Sequence, residues 1–402
     1  MFTDQRSFAI ASSFLAVFLV SCGGSDTASQ PEAAEGTHIA YVGTYTGGFS
    51  SSGAQRVTGG SEGIYAFRFD SASGEMTALG LASESPNPSF LAVHPSGDYL
   101  YAVNEGDPAQ ESGGSISAFQ IDHITGTLTF LNKVDSKGPG PCHLVVDKTG
   151  SAVFAANFIG GSVVSYRLNH DGSIGEFASF FQHEGSSVTP RQAGPHAHGA
   201  YLSADNRFLF VPDLGLDKVV IYDVNAATGE LSNHNPPSVS LPGGTGPRHF
   251  AFAPDEKHAY VLGEIASTIT VFSYDAASGE MTQVQSVSTL PEGFNEPSST
   301  AEIAISSDGR SVYASNRGHD SIATFAVDPA NGTLTFVEHA PTQGRTPRNF
   351  AIDPTGIYVF AENQATNNIV QFRRDAETGK LTPTDQVLDS SSPVCMVFVP
   401  TS

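Results

Sequence analysis

The chain has 402 residues, a formal net charge of −22, 39% hydrophobic residues and 41 glycines. An acidic surface of this kind repels phosphate backbones and anionic membranes, so nucleic acid is not expected as a partner. Recurring Asn-Gly, Ser-Gly and Thr-Gly pairs, without a long amphipathic helical pattern, exclude a helical protein and predict many short strands joined by tight turns.

The N-terminus has the pattern of a bacterial lipoprotein signal peptide. The apolar run 8–20 is too short for a permanent membrane span, and the lipobox-like sequence LVSCG overlaps its end. We expect residues 1–22 to form a signal peptide whose lipobox ends at Cys22, with cleavage before this cysteine and acylation of its thiol. The chain would then be exported and held on the periplasmic or cell-surface side of a membrane by the lipid alone. An ordinary cleaved signal with an incidental cysteine is the alternative.

A flexible tether is predicted for residues 23–37, which are rich in small and polar side chains. After it, a pattern of about fifty residues recurs through residues 38–402. Each unit contains an apolar stretch, a Pro/Asp/Gly turn, a second apolar stretch ending near Asn, a third strand and a closing hairpin. The second unit reads NPSFLAVHPSGDYLYAVNE and then SISAFQIDHITGTLTFL. Later units open with GPCHLVVDKTGSAVFAANF, HAHGAYLSADNRFLFVPDL, GPRHFAFAPDEKHAYVLGE, STAEIAISSDGRSVYASNR and TPRNFAIDPTGIYVFAENQ.

The two ends of the chain complete each other. The first unit starts at HIAYVGTYT (38–46) and lacks an opening strand, whereas SPVCMVFVP (392–400) matches an opening strand and nothing follows it. A C-terminal strand that completes the N-terminal blade would close a ring with only short, protected sheet edges. The predicted fold is therefore all-β, a seven-bladed β-propeller; an open solenoid or an array of sandwiches would not let the termini share a sheet.

Polar residues that differ between units occupy equivalent positions in this repeat. In a propeller the first strand of each blade lines the channel and the second returns beside it, so first-strand starts and second-strand ends share one face. The aligned first strands begin with Ser89, Cys142, His198, Arg248, Ala301 and Arg348. The second strands end with pairs that include Glu105, Glu264, Asn316 and Arg317, and nearby positions add His143, His196, His249, Arg191 and Arg345. A structural propeller would repeat one small or apolar residue here, so this variation predicts a functional site at the channel mouth.

These residues also have structural interpretations. The asparagines at second-strand ends are Asn104, Asn157, Asn316 and Asn363. Asparagine at such a place commonly satisfies loop backbone groups. The arginines and histidines could form a network with Glu105 and Glu264 that serves packing alone. The spacing of His196 and His198 also occurs in zinc sites, although no cofactor or metal is expected.

Several strings of the sequence resemble the seven-bladed lactonase family. They are NPSFLAVHP, LYAVNE, GPCHL, DLGLD, GPRHFAF, SNRGHDSI and PRNF, matched in order and spacing across the whole propeller region. The family includes bacterial 6-phosphogluconolactonases and the fungal carboxy-muconate lactonising enzyme. The resemblance implies an active site made of His198 (with His196 as its rival), Arg248, Glu264 and Arg317. It also implies that the two arginines bind the anionic group of the substrate, while Glu264 and His198 transfer protons.

The expected activity is hydrolysis of a small anionic sugar-type lactone of the 6-phosphogluconolactone kind. A water activated by Glu264 or His198 would attack the ring carbonyl, and arginine donors would stabilise the oxyanion. The further expected substrate contacts are His196, Arg191, Arg348, Glu105, His143 and Asn316. The alternatives are a muconate-type cycloisomerase, a surface propeller that binds without chemistry, and a metal-dependent hydrolase. Because 6-phosphogluconolactone is made in the cytoplasm, the export signal leaves the identity of the lactone open.

Overall fold

The structure is a computed structural model that describes residues 1, 36–49, 56–57, 60–106 and 113–401. The chain divides into two units, residues 1–32 and 33–402, and the fold below is that of the second. Except for Met1, the expected signal peptide with Cys22 lies outside the described residues, as does most of the expected tether. Within the described ranges, no helix combines the length and the apolar character needed to cross a bilayer.

The regular secondary structure of the second unit, within its described residues, is almost entirely β-strand. In its first half these are β1 (Thr37–Thr44), β2 (Gly48–Phe49), β3 (Arg56–Val57), β4 (Gly63–Asp70), β5 (Met76–Glu84), β6 (Pro88–Val93), β7 (Tyr99–Glu105), β8 (Gly114–Ile121), β9 (Leu128–Asp135), β10 (Pro141–Val146), β11 (Ala152–Asn157), β12 (Ser162–Leu168), β13 (Ile174–Gln182), β14 (Tyr201–Leu202), β15 (Phe208–Asp213) and β16 (Lys218–Asn225). The second half contains β17 (Glu230–Ser240), β18 (Pro247–Phe252), β19 (His258–Gly263), β20 (Thr268–Tyr274), β21 (Met281–Ser288), β22 (Ser299–Ile305), β23 (Ser311–Arg317), β24 (Ser321–Val327), β25 (Leu334–Pro341), β26 (Pro347–Ile352), β27 (Tyr358–Asn363), β28 (Asn368–Arg374), β29 (Leu381–Asp389) and β30 (Pro393–Pro400). A 3₁₀ turn, Pro190–Gln192, precedes β14.

These strands form seven four-stranded antiparallel sheets, which are the blades. From the innermost strand outwards, blade 1 is β30-β1-β4-β5, blade 2 is β6 to β9, blade 3 is β10 to β13, blade 4 is β14 to β17, blade 5 is β18 to β21, blade 6 is β22 to β25 and blade 7 is β26 to β29. Strands β2 and β3 form a separate short hairpin. The predicted seven-bladed propeller is confirmed.

The ring closes as the divided repeat predicts. Strand β30 pairs antiparallel with β1, from His38 opposite Pro400 to Thr44 opposite Pro393. The last strand of the chain thus becomes the innermost strand of the first blade. One boundary differs from the prediction, because Thr37 already belongs to β1 and was assigned to the tether.

The hydrophobic core is divided into seven main clusters, one at each junction between consecutive blades. The junction between blades 7 and 1 contains Phe360 beside Phe69, with ring centroids 5.5 Å apart. Since every junction buries a comparable set of aromatic and branched side chains, each blade is held by both neighbours. A closed ring of this kind keeps the inner strand ends in fixed positions.

The outer hairpins link one blade to the next. In blade 2, the carboxylate of Asp122 accepts the N–H groups of Ile124 and Thr125, and Gly126 follows with a φ of 78°. In other blades, the carbonyl of the equivalent glycine accepts a hydrogen bond from a tyrosine of the preceding blade, as Tyr260 donates to Gly332 over 3.1 Å. The recurring Gly of the closing hairpin therefore contributes to blade packing as well as to the turn.

Candidate active site

The start of each first strand lies beside the end of the second strand of the same blade. The pairs are Pro88 with Asn104, Pro141 with Asn157, Ala197 with Asp213, Pro247 with Gly263, Ser299 with Arg317, and Pro347 with Asn363. The residues that follow these pairs therefore meet at one edge of the blades, where the innermost strands surround the axis.

Six of the innermost strands contain one extra residue at this edge. The pairing register shifts between Pro88 and Phe90, Pro141 and His143, Pro247 and His249, Thr300 and Ile303, Pro347 and Asn349, and Pro393 and Cys395. In a regular strand successive side chains point to opposite faces, and a bulge breaks that alternation. In blade 5 this allows Arg248 to reach Glu264 while its neighbour His249 turns to Glu302.

Glu264 is the centre of the arrangement. Its Oε2 lies 3.0 Å from Nε of Arg248 and 3.1 Å from Nη2 of Arg317, and its Oε1 accepts a bond from Nη2 of Arg191 at 2.7 Å. The carboxylate is only 4% exposed. One buried carboxylate thus holds three guanidinium groups that come from three different blades or loops.

These arginines keep Glu264 ionised. Burial alone would raise the pKa of its carboxyl, but Arg317, Arg248 and Arg191 reverse the effect and lower the pKa to about 2. Burial lowers the pKa of Arg317 to about 10, although Glu264 opposes that shift. At neutral pH these side chains are charged, and a carboxylate with so low a pKa is a weak proton acceptor.

Two of the arginines retain unused donors. Nη1 of Arg248 bonds the carbonyl of Ala301 and lies 3.2 Å from Nε2 of His249, and Nη2 of Arg317 donates to the carbonyl of Thr300 over 2.7 Å. Among the described residues, Nη2 of Arg248 and Nη1 of Arg317 have no partner. Each of these two guanidinium groups is therefore held in place through some of its nitrogens, and one further nitrogen remains available to a ligand.

A fourth guanidinium lies on the side of blades 7 and 1. Arg348 is 7% exposed, and its guanidinium stacks over the ring of Tyr45 at 5.3 Å. The Tyr45 hydroxyl donates to Glu105 over 2.7 Å. Within the described ranges Arg348 makes no hydrogen bond or ion pair of its own; burial would lower its pKa, but Tyr45, Glu105 and Glu264 together outweigh burial and raise the pKa, so the side chain stays charged. Burial and then Arg348 lower the pKa of Arg248, so the two cations belong to one site.

His198 joins the site beside the arginines. Its Nδ1 lies 3.6 Å from the Cys142 sulfur, and its ring centroid is 5.3 Å from that of His249. Burial, followed by the charge of Arg248, holds the pKa of His198 well below its ordinary value. The imidazole is therefore neutral at physiological pH, with one nitrogen able to accept a proton.

His196 takes a different position from His198. Its ring stacks on Phe158 at 4.7 Å, and its Nδ1 lies 2.9 Å from the Phe158 carbonyl. Arg191 approaches the same ring, with its guanidinium carbon 5.7 Å from the centroid. His196 and Arg191 thus form a more exposed border around Phe158, whereas His198 lies next to Arg248.

Blade 4 holds this border through a buried hydrogen-bonded network around Asp213. Asp213 occupies the place of the asparagine found in four other blades, and its Oδ1 accepts the N–H of His196 at 2.7 Å. Its Oδ2 lies 2.7 Å from Nδ1 of His183, whose Nε2 is 2.9 Å from the hydroxyl of Tyr222. The irregular segment that carries His196 and His198 is therefore fastened to the rigid second strand of the blade.

Two predicted contacts lie outside this arrangement. Asn316 is fully buried, and its amide bonds the hydroxyl and the carbonyl of Thr289. Asn104, Asn157 and Asn363 likewise donate to loop carbonyls, so the structural interpretation of these asparagines is confirmed. His143 lies deeper, with its ring 4.1 Å from that of Phe90 and 5.3 Å from that of His249.

Other residues of the site escaped the sequence reasoning. Tyr45 directly follows β1, at the place that Glu105 and Glu264 occupy in their blades, and aligning the divided first unit would have found it. Glu302 follows Ala301 and lies 3.0 Å from Nδ1 of His249. Within the described part of the chain, no three His, Cys, Asp or Glu side chains gather as metal ligands.

The family described as "Lactonase, 7-bladed beta-propeller" matches residues 39–398 of the chain. The chain belongs to this lactonase family. The 6-phosphogluconolactonase of Bacillus subtilis is 38% identical over 363 residues, 90% of this chain and 98% of that protein. The 6-phosphogluconolactonase of Formosa agariphila is 36% identical over 83% of this chain and 95% of its own length. The periplasmic gluconolactonase of Pseudomonas aeruginosa superposes on this lactonase-family chain with a TM-score of 0.83 and 33% identity, covering 91% of this chain and all of that one.

Proposed function

We propose that the chain hydrolyses a sugar δ-lactone that carries an anionic group, with 6-phosphogluconolactone as the first candidate. The observation that carries the proposal is the set of buried guanidinium groups with unused N–H donors, those of Arg248, Arg317 and Arg348. Relatives named 6-phosphogluconolactonase support the choice of substrate.

The charges of the site favour an anionic substrate. Four guanidinium groups, those of Arg191, Arg248, Arg317 and Arg348, lie around three carboxyl groups, those of Glu264, Glu105 and Glu302. The remaining positive charge attracts an anion. Arginine presents paired donors that suit a phosphate or carboxylate, so a phosphorylated sugar lactone matches the site better than a neutral one.

The reaction proceeds at the channel mouth, where the innermost strands begin. The oxygen of a water molecule bonds to the lactone carbonyl carbon, and the ring C–O bond breaks. One proton of the water ends on the new hydroxyl group, and the carboxylic acid releases the other. Nη2 of Arg248 and Nη1 of Arg317 stabilise the oxyanion of the tetrahedral intermediate.

His198 and Glu264 have different roles in the proposed reaction. His198 is neutral, so one ring nitrogen can accept the proton of the attacking water. Burial and Arg248 lower the pKa of His198 and make it a weak base until the substrate anion binds the arginines. Glu264 has a pKa of about 2 and is a poor base, so its role is to hold Arg191, Arg248 and Arg317 in place. His196 and Arg191 border the entrance to the site.

The deciding experiment measures lactone opening by the full chain, purified in mild detergent. Opening of 6-phosphogluconolactone and gluconolactone is followed against buffer, because both lactones also open spontaneously. We expect faster opening of the phosphorylated lactone. If the chain accelerates neither lactone, the hydrolase proposal is overturned. Loss of diene absorbance from carboxy-muconate would then indicate a cycloisomerase, and thermal protection by a ligand without turnover would indicate a binding propeller.

Replacing Arg348 with methionine is expected to raise KM for 6-phosphogluconolactone much more than KM for gluconolactone. A charge-assisted hydrogen bond contributes about 1.5–3 kcal/mol, so KM for 6-phosphogluconolactone should rise about 10- to 100-fold. KM for gluconolactone, which lacks the phosphate, should change by less than about 3-fold. Steady-state kinetics on both lactones check this, and an equal loss on both would exclude Arg348 as the phosphate ligand.

We also propose that the chain is exported and anchored through Cys22. The apolar run and the LVSCG sequence support this, and the relative from Pseudomonas aeruginosa is described as periplasmic. Mass spectrometry of the N-terminal peptide should find an acylated Cys22, and Cys22→Ser should move the protein from the membrane fraction to the soluble fraction. A purified chain that still begins at Met1 would contradict the proposal.

A further inference from the structure

A second set of side chains lies beneath the arginines, one position further along the innermost strands. It consists of Phe90 and four polar residues, His143, His249, Glu302 and Asn349. The ring of His249 lies within 6 Å of those of Phe90, His143 and His198, with centroid distances of 5.9, 5.3 and 5.3 Å. The proposed reaction above assigns no role to Glu302 or His249.

Glu302 is surrounded by donors. Nδ1 of His249 lies 3.0 Å from each carboxylate oxygen, the amide of Asn349 donates to Oε2 over 2.7 Å, and the N–H of Ile303 donates to Oε1 over 3.0 Å. Three donors on two oxygens favour the ionised carboxylate. Burial opposes them and raises the pKa of Glu302 to about 7.

The tautomer of His249 follows from its other neighbour. Nη1 of Arg248 lies 3.2 Å from Nε2 of His249, and a guanidinium can only donate. Nε2 must therefore accept, and the single proton of the neutral ring is on Nδ1, where it faces Glu302. Burial, followed by Arg248, holds the pKa of His249 well below its ordinary value, which keeps the ring neutral.

We infer that Glu302 is a positioning residue that acts through His249. Its carboxylate holds the ring in the Nδ1–H form, and the lone pair of Nε2 then fixes Nη1 of Arg248, so that Nη2 of Arg248 faces the substrate. The consequence for turnover rests on the proposed lactonase function, whereas the tautomer of His249 does not.

The fold itself does not need a carboxylate at this place. The equivalent residues of other blades are Phe90, His143 and Asn349, so the strand accommodates apolar, aromatic and amide side chains there. Leucine leaves the donors of His249, Asn349 and Ile303 without an acceptor, so Glu302→Leu is expected to lower the melting temperature. A purely structural role therefore predicts that Glu302→Leu loses stability but, once folded, keeps the kcat/KM of Glu302→Gln.

The positioning role predicts a loss of activity in the folded protein as well. Leucine offers no acceptor to Nδ1 of His249, so the ring is free to change tautomer, and Arg248 loses its partner. Glutamine still offers an oxygen to Nδ1, because Asn349 can turn its amide to meet the new N–H₂ group. Measured well below the melting temperature of each variant, kcat/KM is expected to fall about 10- to 100-fold in Glu302→Leu and clearly less in Glu302→Gln.

Glu362 supplies a matched control. It is a fully buried glutamate of the neighbouring blade, and neither of its oxygens has a partner among the described residues. Burial, followed by Glu302, holds its pKa well above the ordinary value, so it is a neutral acid that fixes no other group. Glu362→Leu should keep kcat/KM within about 3-fold of the unsubstituted chain, in contrast to Glu302→Leu.

The experiment combines kinetics with ¹⁵N NMR of the full chain labelled at histidine, and His249→Gln identifies the signals of that ring. We expect a protonated Nδ1 in the unsubstituted chain and in Glu302→Gln, and its loss in Glu302→Leu. A protonated Nε2 in the unsubstituted chain, an unchanged tautomer in Glu302→Leu, or equal activity of Glu302→Leu and the unsubstituted chain would each overturn the inference. If no lactone is opened at all, the proposed function fails, and the NMR result still decides the tautomer.

Discussion

Arg248→Met is expected to lower kcat/KM for 6-phosphogluconolactone by about 10²–10³-fold, because removal of one preorganised oxyanion donor commonly has that effect. Arg248 is anchored by the carbonyl of Ala301, by His249 and by Glu264, which leaves Nη2 for the substrate. Methionine keeps similar bulk but has neither charge nor donors. Steady-state kinetics corrected for spontaneous opening measure the loss.

The comparison needs one conservative variant and one distant control. Arg248→Lys keeps the charge but has no planar fork, so it cannot bond Glu264 and a substrate oxygen in the same geometry, and we expect an intermediate loss. Arg373→Met removes an exposed arginine on the third strand of blade 7 and should leave kcat/KM unchanged. If Arg248→Met retained a third or more of the activity, another group would have to stabilise the oxyanion.

The ring and its closure could be predicted from the sequence because they depend on local repetition. Each unit repeats the same apolar and turn positions, and the terminal strings HIAYVGTYT and SPVCMVFVP are complementary parts of one unit. Pairing of β30 with β1 follows from that complementarity. The hairpin glycines also follow, since a positive φ at Gly126 is a local requirement.

The residues around Glu264 could be predicted for the same reason. Strand alignment gave His198, Arg248, Glu264 and Arg317 as equivalent edge positions, and the structure brings them together. The alignment could not give the partners of each side chain. Glu264 was expected to transfer protons, and its three ion pairs, which lower its pKa to about 2, are visible only in the structure.

The set of side chains beneath the arginines could be predicted only in part: His143 and His249 follow from the strand alignment, whereas Glu302 and Asn349 depend on a backbone irregularity. Simple alternation along a strand would place Arg248 and His249 on opposite faces. The extra residue after Pro247 changes this and allows both side chains to reach the axis. Neither composition nor spacing in one sequence signals such a bulge, so Glu302, one position after Ala301, was overlooked.

Glu264→Gln is expected to have the largest effect on stability. It leaves Arg191, Arg248 and Arg317 without their shared carboxylate, and breaking a buried ion pair from one side costs about 3–5 kcal/mol. Guanidinium denaturation at neutral pH measures the change in the free energy of unfolding. Glu280→Gln, which alters an exposed glutamate of the same blade, should change it by less than about 0.5 kcal/mol.

The loss of stability caused by Glu264→Gln should become smaller as the pH falls. The pKa of Glu264 is about 2 in the folded chain and near 4.5 when unperturbed. Because the pKa is lower in the folded chain, the ionised carboxylate of Glu264 stabilises the folded state. This contribution is complete above pH 4.5 and is lost as the pH falls towards 2. The shift corresponds to a contribution on the order of 3 kcal/mol. The unsubstituted chain should therefore lose more stability than Glu264→Gln between pH 5 and pH 2, so the difference between them narrows. A difference that stays constant over this range would mean that the arginines do not hold Glu264 as a carboxylate.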